Sequence, residues 1–550
     1  MKKAKLLFST LLLISIHISA QDSAYLDIGN VRALIHSDGN LFQNRATGQA
    51  SFEVPKGSNS HSIYSSFLWL SSESVRNGER HISLSKGDYN QTNFKIGPVD
   101  IVNQAPDSSS SFQRLWKVDR TEIDHHIQNW NNPGYRAPAS ILDWPGNGNA
   151  NTAQNLAPYK DLDNDNIYEP LDGEYPIIKG DQAVLLILND YRPEIVVEQL
   201  QLPPAPPIFL YNWGGLKIEM HILLYAFDSP NPAINNAIFS NVKIFNRSNS
   251  TIDNHSDFRF SVFADFDLGG ASDDYIGTDS TNNLFYSYNG SLFDNGQGGQ
   301  SGYGNKLAAQ GVQFLDYDID HSVYYNVGSG ANGDPNFPEH HLGYQRGFWK
   351  NGQAMYFGGN GFDYCVDTTH TTKLILSGDP TLVNDTTQWT EINPCLNSTP
   401  SINSPGDRRM IGGPKAPKQL NIGDVIEINY AYVFVRDNDT STVIGQPLTR
   451  LFSTTDSVKN FFDNTIVTGI QATASSEVEF NLSPNPANQM LNVNLNESDF
   501  EITIFDITGS EVKFYRNIKS IDVSGFSNGI YFFQVRTATQ MGTKKLIVTH

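Results

Sequence analysis

The chain has 550 residues, with 38 Lys and Arg against 58 Asp and Glu and a formal net charge of −20. That acidic balance argues against nucleic acid and anionic membrane surfaces as partners, and no basic run overturns it. With 24 Tyr, 32 Phe and 44 Gly among many Asn, Asp and Ser, the composition favours strands joined by polar turns over helices.

The first segment reads as a secretory signal peptide over residues 1–20. Lys2, Lys3 and Lys5 precede an apolar run over residues 6–18, and Ser19-Ala20 places cleavage between Ala20 and Gln21. The run is too short for a bilayer span, and no later stretch reaches that length, so no transmembrane segment is expected in the mature chain. Without the three lysines the mature chain keeps 35 basic against 58 acidic side chains, a net −23. Residues 21–470 are long enough to bury a large core. They are expected to form a β-rich main body, with a subdomain boundary somewhere near 105–165, where Ala105-Pro106-Asp107 and the four serines after it read as a linker.

The sharpest chemical motif lies at 161–172, Asp161-Leu162-Asp163-Asn164-Asp165-Asn166-Ile167-Tyr168-Glu169-Pro170-Leu171-Asp172. Acids fall at positions 1, 3, 5, 9 and 12 of a twelve-residue loop. A hard cation such as calcium needs six to eight oxygens, and this spacing lets one short loop wrap it. The expected ligands are Asp161, Asp163 and Asp165, the carbonyl of Ile167, and Glu169 or Asp172. The frame departs from an EF-hand: Asn166 stands where Gly is usual, Asp172 where a longer Glu would be bidentate, and Pro158 and Pro170 exclude flanking helices.

Strands are predicted over 183–188, 218–225, 237–245, 258–264 and 425–434. After the fourth comes a second acidic run with Asp265, Asp267, Asp273, Asp274 and Asp279. Asp265 and Asp267 share one strand face, and Gly269 and Gly270 let the chain fold back. It is a second candidate cation site. Cys365 and Cys395 are the only cysteines, and in an exported chain they are expected to pair as one disulfide. One amphipathic helix is predicted over 446–464 on Leu448, Leu451, Phe452, Val458, Phe461 and Phe462.

Catalysis finds little support in the sequence. Glu219 and His221 share a strand face, and Asp124-His125-His126 and Glu339-His340-His341 are local clusters, their adjacent histidines read as pointing to opposite faces of a strand. No HExxH, GxSxG or phosphate-binding loop occurs.

Residues 471–479 read as a linker to a last domain at 480–550. Here short alternating runs follow at close spacing: Leu491, Val493, Leu495; Ile502, Ile504, Phe505; Val512, Phe514; Ile521, Val523; 530–535; 546–548. Thr508-Gly509 and Asn528-Gly529 are expected to supply positive-φ residues for tight hairpins. The pattern predicts a small Ig-like antiparallel sandwich.

Four motifs in order, Ser483-Pro484-Asn485-Pro486, Phe505-Asp506-Ile507-Thr508-Gly509, Asn528-Gly529-Ile530-Tyr531 and the Lys544 to Val548 run, carry a resemblance. The segment resembles the type A C-terminal sorting domain of the Bacteroidetes type IX secretion system. The resemblance implies export through the periplasm to the cell surface or medium, with the secretion machinery as partner. The main body is similar to a group of large secreted proteins with the same sorting domain, through blocks such as Asp143-Trp144-Pro145, the acidic loop running into Gly173-Glu174-Tyr175-Pro176, and Asp407-Arg408-Arg409. That similarity carries over no catalytic residues. The expected whole is a mainly β, calcium-stabilised surface or secreted protein that binds or adheres, with an extracellular glycan or surface polymer as its target. The alternative is a glycan or peptide hydrolase working through a carboxylate pair.

Overall fold

The computed structural model describes residues 22–466, except 77–78, 90–91, 193–195, 199–209, 213–214, 327, 329, 383 and 397–401, and residues 480–550, except 496, 499, 506–510 and 538–540. The signal segment with Ala20 and Gln21, the 471–479 linker and the Thr508-Gly509 turn lie outside the described residues. The chain divides into two compact units, Met1–Lys459 and Asn460–His550.

The first unit is built on two antiparallel sheets. The larger runs Trp116–Asp119, Gln182–Asn189, Ile218–Ala226, Ala237–Asn246, Val425–Arg436, Ala308–Phe314, Leu284–Asn289, Asp274–Asp279, and Lys95–Ile96 adds to the Gln182–Asn189 strand. Gln182–Asn189 and Ile218–Ala226 are buried at every position, because other segments cover both faces; hence the continuous apolar runs 183–188 and 222–226, with Glu219 and His221 as a buried polar pair in the second strand. The smaller sheet runs Ile319–Tyr325, Arg408–Pro414, Arg259–Phe266, Ser65–Arg76, Glu79–Lys86. All five predicted strands of the body are present.

The two sheets share one hydrophobic core. Phe42 meets Tyr432 edge-on at 4.9 Å, Phe266 meets Phe285 at 6.2 Å, and Ser66 Oγ hydrogen-bonds the Tyr432 hydroxyl at 2.7 Å. Gly412 makes the approach possible: a Cβ there would lie 2.3 Å from the Phe285 ring. The fold is mainly β, as the composition indicated. Within the segment read as a linker, Ala105–Pro106 pairs with Val99–Asp100. The predicted long helix is Gln446–Phe461, with Leu448, Leu451 and Val458 buried on one face and a π-turn at Phe462–Ile466.

Besides the single turns Ala139–Leu142 and Pro232–Asn235, two longer helices among the described residues were not foreseen, and they correct the reading of the histidine pairs. Arg120–Asn129 starts on a capping box between Asp119 and Glu122, and Pro338–Arg346 has Pro338 in its first turn and stops at Gly347, φ +81°. His125 and His126, like His340 and His341, therefore sit on helices, and His126 and His341 are the buried member of each pair. Cys365 and Cys395 form the expected disulfide. It closes a 30-residue separation, which by chain entropy stabilises by about 3–4 kcal/mol. A non-reduced digest of secreted protein should yield the cross-linked 365–395 peptide, and free thiols there would contradict the pairing.

The second unit contains a three-stranded sheet, Phe480–Ser483, Met490–Leu495, Ser520–Asp522, and a four-stranded one, Glu511–Arg516, Glu501–Phe505, Gly529–Arg536, Met541–Val548. Leu491, Val493 and Leu495 alternate with exposed residues and pack with Ile502, Ile504, Phe533, Val535 and Leu546 in a separate core. Asn528-Gly529 is not a positive-φ hairpin turn. Gly529 instead opens a strand opposite Val548, and the Asn528 side chain accepts the His550 amide at 2.7 Å.

Candidate cation sites and buried polar clusters

The acidic loop is wound by its own carboxylates. Asp161 accepts the amides of Asn164 (2.7 Å) and Asn166 (3.0 Å), Asp163 that of Asp165 (3.2 Å), and Asp165 that of Ile167 (2.8 Å). Asn164 and Asn166 take φ +64° and +65°, the left-handed region Asn tolerates best after Gly, so Asn166 does the job of the missing glycine. One oxygen each of Asp161, Asp163 and Asp165 lies within 4.8 Å of the others. Glu169 and Asp172 are not in that cluster, and Asp172 sits in the exposed turn Pro170–Asp172. Burial first, then Asp165, Asp172 and Asp163, raise the Glu169 carboxyl above its ordinary range. Glu174, outside the twelve-residue frame, is buried and accepts the amides of Leu162 and Glu169, both at 2.8 Å, pinning the loop at two points.

The second acidic run splits up. Asp265 and Asp267 do share a face, but their third partner is Asp407: one oxygen of each lies within 4.8 Å of the others. Strand register explains it, since Asp265 opposes Arg409 and Phe266 opposes Arg408, which brings Asp407 beside Asp267. Around them the Tyr89 hydroxyl donates to Asp265 at 2.6 Å and Gln297 to Asp267 at 2.8 Å. Arg409 Nε lies 3.7 Å from Asp265 and its Nη1 3.4 Å from Asp334. One guanidinium faces an excess of carboxylates. Burial pushes Asp265 up to about 7, and burial with Asp265 and Asp407 pushes Asp267 well above the carboxylate range. The other expected members are elsewhere. Asp273 takes the Ser291 hydroxyl at 2.6 Å, the fully buried Asp274 takes the Leu268 amide at 3.0 Å, and Asp279 folds an Asx turn on Thr281 and Asn282.

Two buried networks resemble catalytic groupings. Ser261 Oγ lies 2.7 Å from His321 Nε2, and Asp320 3.4 Å from His321 Nδ1. Ser261 is wholly buried in mid-strand and also accepts from Gln345 at 2.8 Å, so no substrate reaches it. Glu219 is equally buried; burial would raise its carboxyl, but His221 and Arg247, each 3.0 Å away, hold it below the usual range. Both are structural polar clusters.

Residues 481–549 match the family model of the secretion system C-terminal sorting domain. The chain thus belongs to the class of exported proteins: it carries a type IX sorting domain and is delivered to the outer surface or the medium. Among solved structures it is similar to a polysaccharide lyase, at 9% identity and TM-score 0.15. The match covers 60% of this chain and 34% of that one. A search of curated proteins returns no match. No helix among the described residues is long and apolar enough to cross a membrane.

Proposed function

We propose that the protein is a calcium-stabilised binding or adhesion protein of the cell surface or medium, its main body presented there by the sorting domain. The observation that carries the calcium reading is the convergence of Asp161, Asp163 and Asp165 in a loop whose two asparagines adopt left-handed geometry and whose ends are pinned by Glu174. Three carboxylates so close repel one another unless a cation joins them, and hard oxygen donors suit calcium. Asp265, Asp267 and Asp407 form a second, more buried set of the same chemistry. The binding role draws on export and on the lack of substrate access at Ser261. A second reading, hydrolysis by a carboxylate pair, draws on Asp265, whose raised proton affinity suits a general acid.

Calcium bound to the folded loop stabilises by mass action. Millimolar calcium should therefore raise the melting temperature by a few degrees, and chelator should reverse it. Asp163→Ala with Asp165→Ala should abolish most of that dependence while the sheets stay folded. A wild-type melt indifferent to calcium would leave the loop as a charged turn.

A further inference from the structure

We propose that the cavity between the Glu79–Lys86 strand and the start of the Pro338–Arg346 helix binds a carboxylate-bearing sugar, a uronic acid unit. This deepens the binding reading above by giving it a glycan target, and rests on it. The cavity is about 370 Å³, a size that holds small ligands. In a chain of net charge −20, its wall carries two permanent cations, Lys86 and Arg192, against one acid, Asp88. Asp88 is already matched, with its carboxylate 2.6 Å from Lys86 Nζ. Arg192 makes no salt bridge of that kind among the described residues: its Nη2 donates to the Leu84 carbonyl at 3.2 Å and to Ser85 Oγ at 3.5 Å, while its Nε is buried with no acceptor among them. The neighbouring Asp190 offsets part of the guanidinium charge, but its oxygens are taken by the amides of Leu216 (2.5 Å) and Ile218 (2.9 Å) and by the Ser85 hydroxyl, so it does not accept from Arg192 Nε.

A buried guanidinium N–H without an acceptor is costly, and a carboxylate is the planar anion whose geometry matches it. His341 adds a second buried polar atom in this wall without a partner among the described residues. Its Nδ1 donates to the Phe337 carbonyl at 2.9 Å, which leaves Nε2 a lone pair with no donor among the described residues. The rest of the lining suits a sugar body. Phe337 supplies a half-buried ring for a pyranose face, and Asn93 and Asn336 supply amides for hydroxyls.

The test is calorimetric titration of the mature full-length chain, at low salt, with D-glucuronate, D-glucose and acetate in turn. Glucuronate should bind saturably and about tenfold or more tighter than either of the others. Arg192→Gln should weaken it about tenfold, and Asn336→Asp should weaken it several-fold by setting a like charge at the mouth. Asn336 is exposed, so that variant decides the matter if Arg192→Gln lowers the melting temperature. Glucuronate binding no tighter than glucose or acetate, or both variants binding as wild type, would overturn the proposal. Retention of neutral glycans alone on an array would sink this inference and leave the binding reading standing; retention of no saccharide would sink the glycan target altogether.

Discussion

A chain truncated before Phe480 should fold its main body and yet fail to leave the periplasm. Folding should survive because the hydrophobic cores are separate: the body packs around Phe42, Phe266, Phe285 and Tyr432, the sorting domain around Leu491, Ile504 and Phe533. Export should fail because the matched sorting signal lies wholly within 481–549. The body's melting temperature should stay within a degree or two of the full chain's, while cell fractionation should find the truncated protein in the periplasm. A milder variant separates signal from bulk. Ile504 is fully buried between two neighbouring strands, and Ile504→Asp places an unpaired charge there. A unit of about 70 residues has only a few kcal/mol of stability, and a buried unpaired charge costs more than that. Ile504→Asp should reproduce the export defect with every surface motif intact. Normal surface delivery of either variant would mean that the sorting fold is not what the machinery reads.

What was legible in the sequence is what is local. Alternation at Leu491, Val493 and Leu495, the unbroken apolar run from Ala183 to Leu188, and the stripe of Leu448, Leu451 and Val458 each predict an element from its own neighbours, and each is present. The acidic loop was readable for the same reason, since Asp161, Asp163 and Asp165 lie within five residues. Glu174 escaped because it acts from outside the frame the spacing defines. Asp407 escaped because only the register between Arg259–Phe266 and Arg408–Pro414 carries it to Asp267 across 140 positions of sequence. Asp273, Asp274 and Asp279 were grouped with Asp265 on proximity in sequence, yet the strand that begins at Asp274 carries Asp279 to its far end. The two short helices have weak stripes, and their caps, Asp119 with Glu122 and Pro338 with Gly347, were the signal passed over. The Arg192 and His341 cavity is a purely tertiary product, assembled from a strand, a loop and a helix far apart in the chain.

The other large expected effect concerns His341, which should make the body sensitive to acid. The residue is fully buried, 4.5 Å from the Trp69 ring, and faces the Lys86 ammonium and His340. Burial first, then Lys86, hold its imidazole down to about 3, although the Phe337 carbonyl on Nδ1 pulls the other way. In the unfolded chain the ring titrates near 6.5. Above about pH 6.5 both states hold a neutral ring, and the native state has its full stability. As pH falls below 6.5 the unfolded chain takes up a proton that the folded one refuses, so stability drops until pH approaches 3. At about 1.4 kcal/mol per pH unit, the loss is on the order of 4–5 kcal/mol at most. Buried carboxylates oppose the trend: Asp265, raised to about 7, and Asp316, raised to about 6, both chiefly by burial, favour the folded state as pH falls. A raw wild-type profile therefore mixes both signs. The comparison with His341→Phe isolates one, because Phe keeps a ring against Trp69 and cannot titrate, while distant carboxylates contribute equally to both proteins. Denaturant melts at steps from pH 7 to pH 4 should show wild type losing about 3 kcal/mol more than the variant. Parallel profiles would mean that His341 takes up its proton inside the folded body.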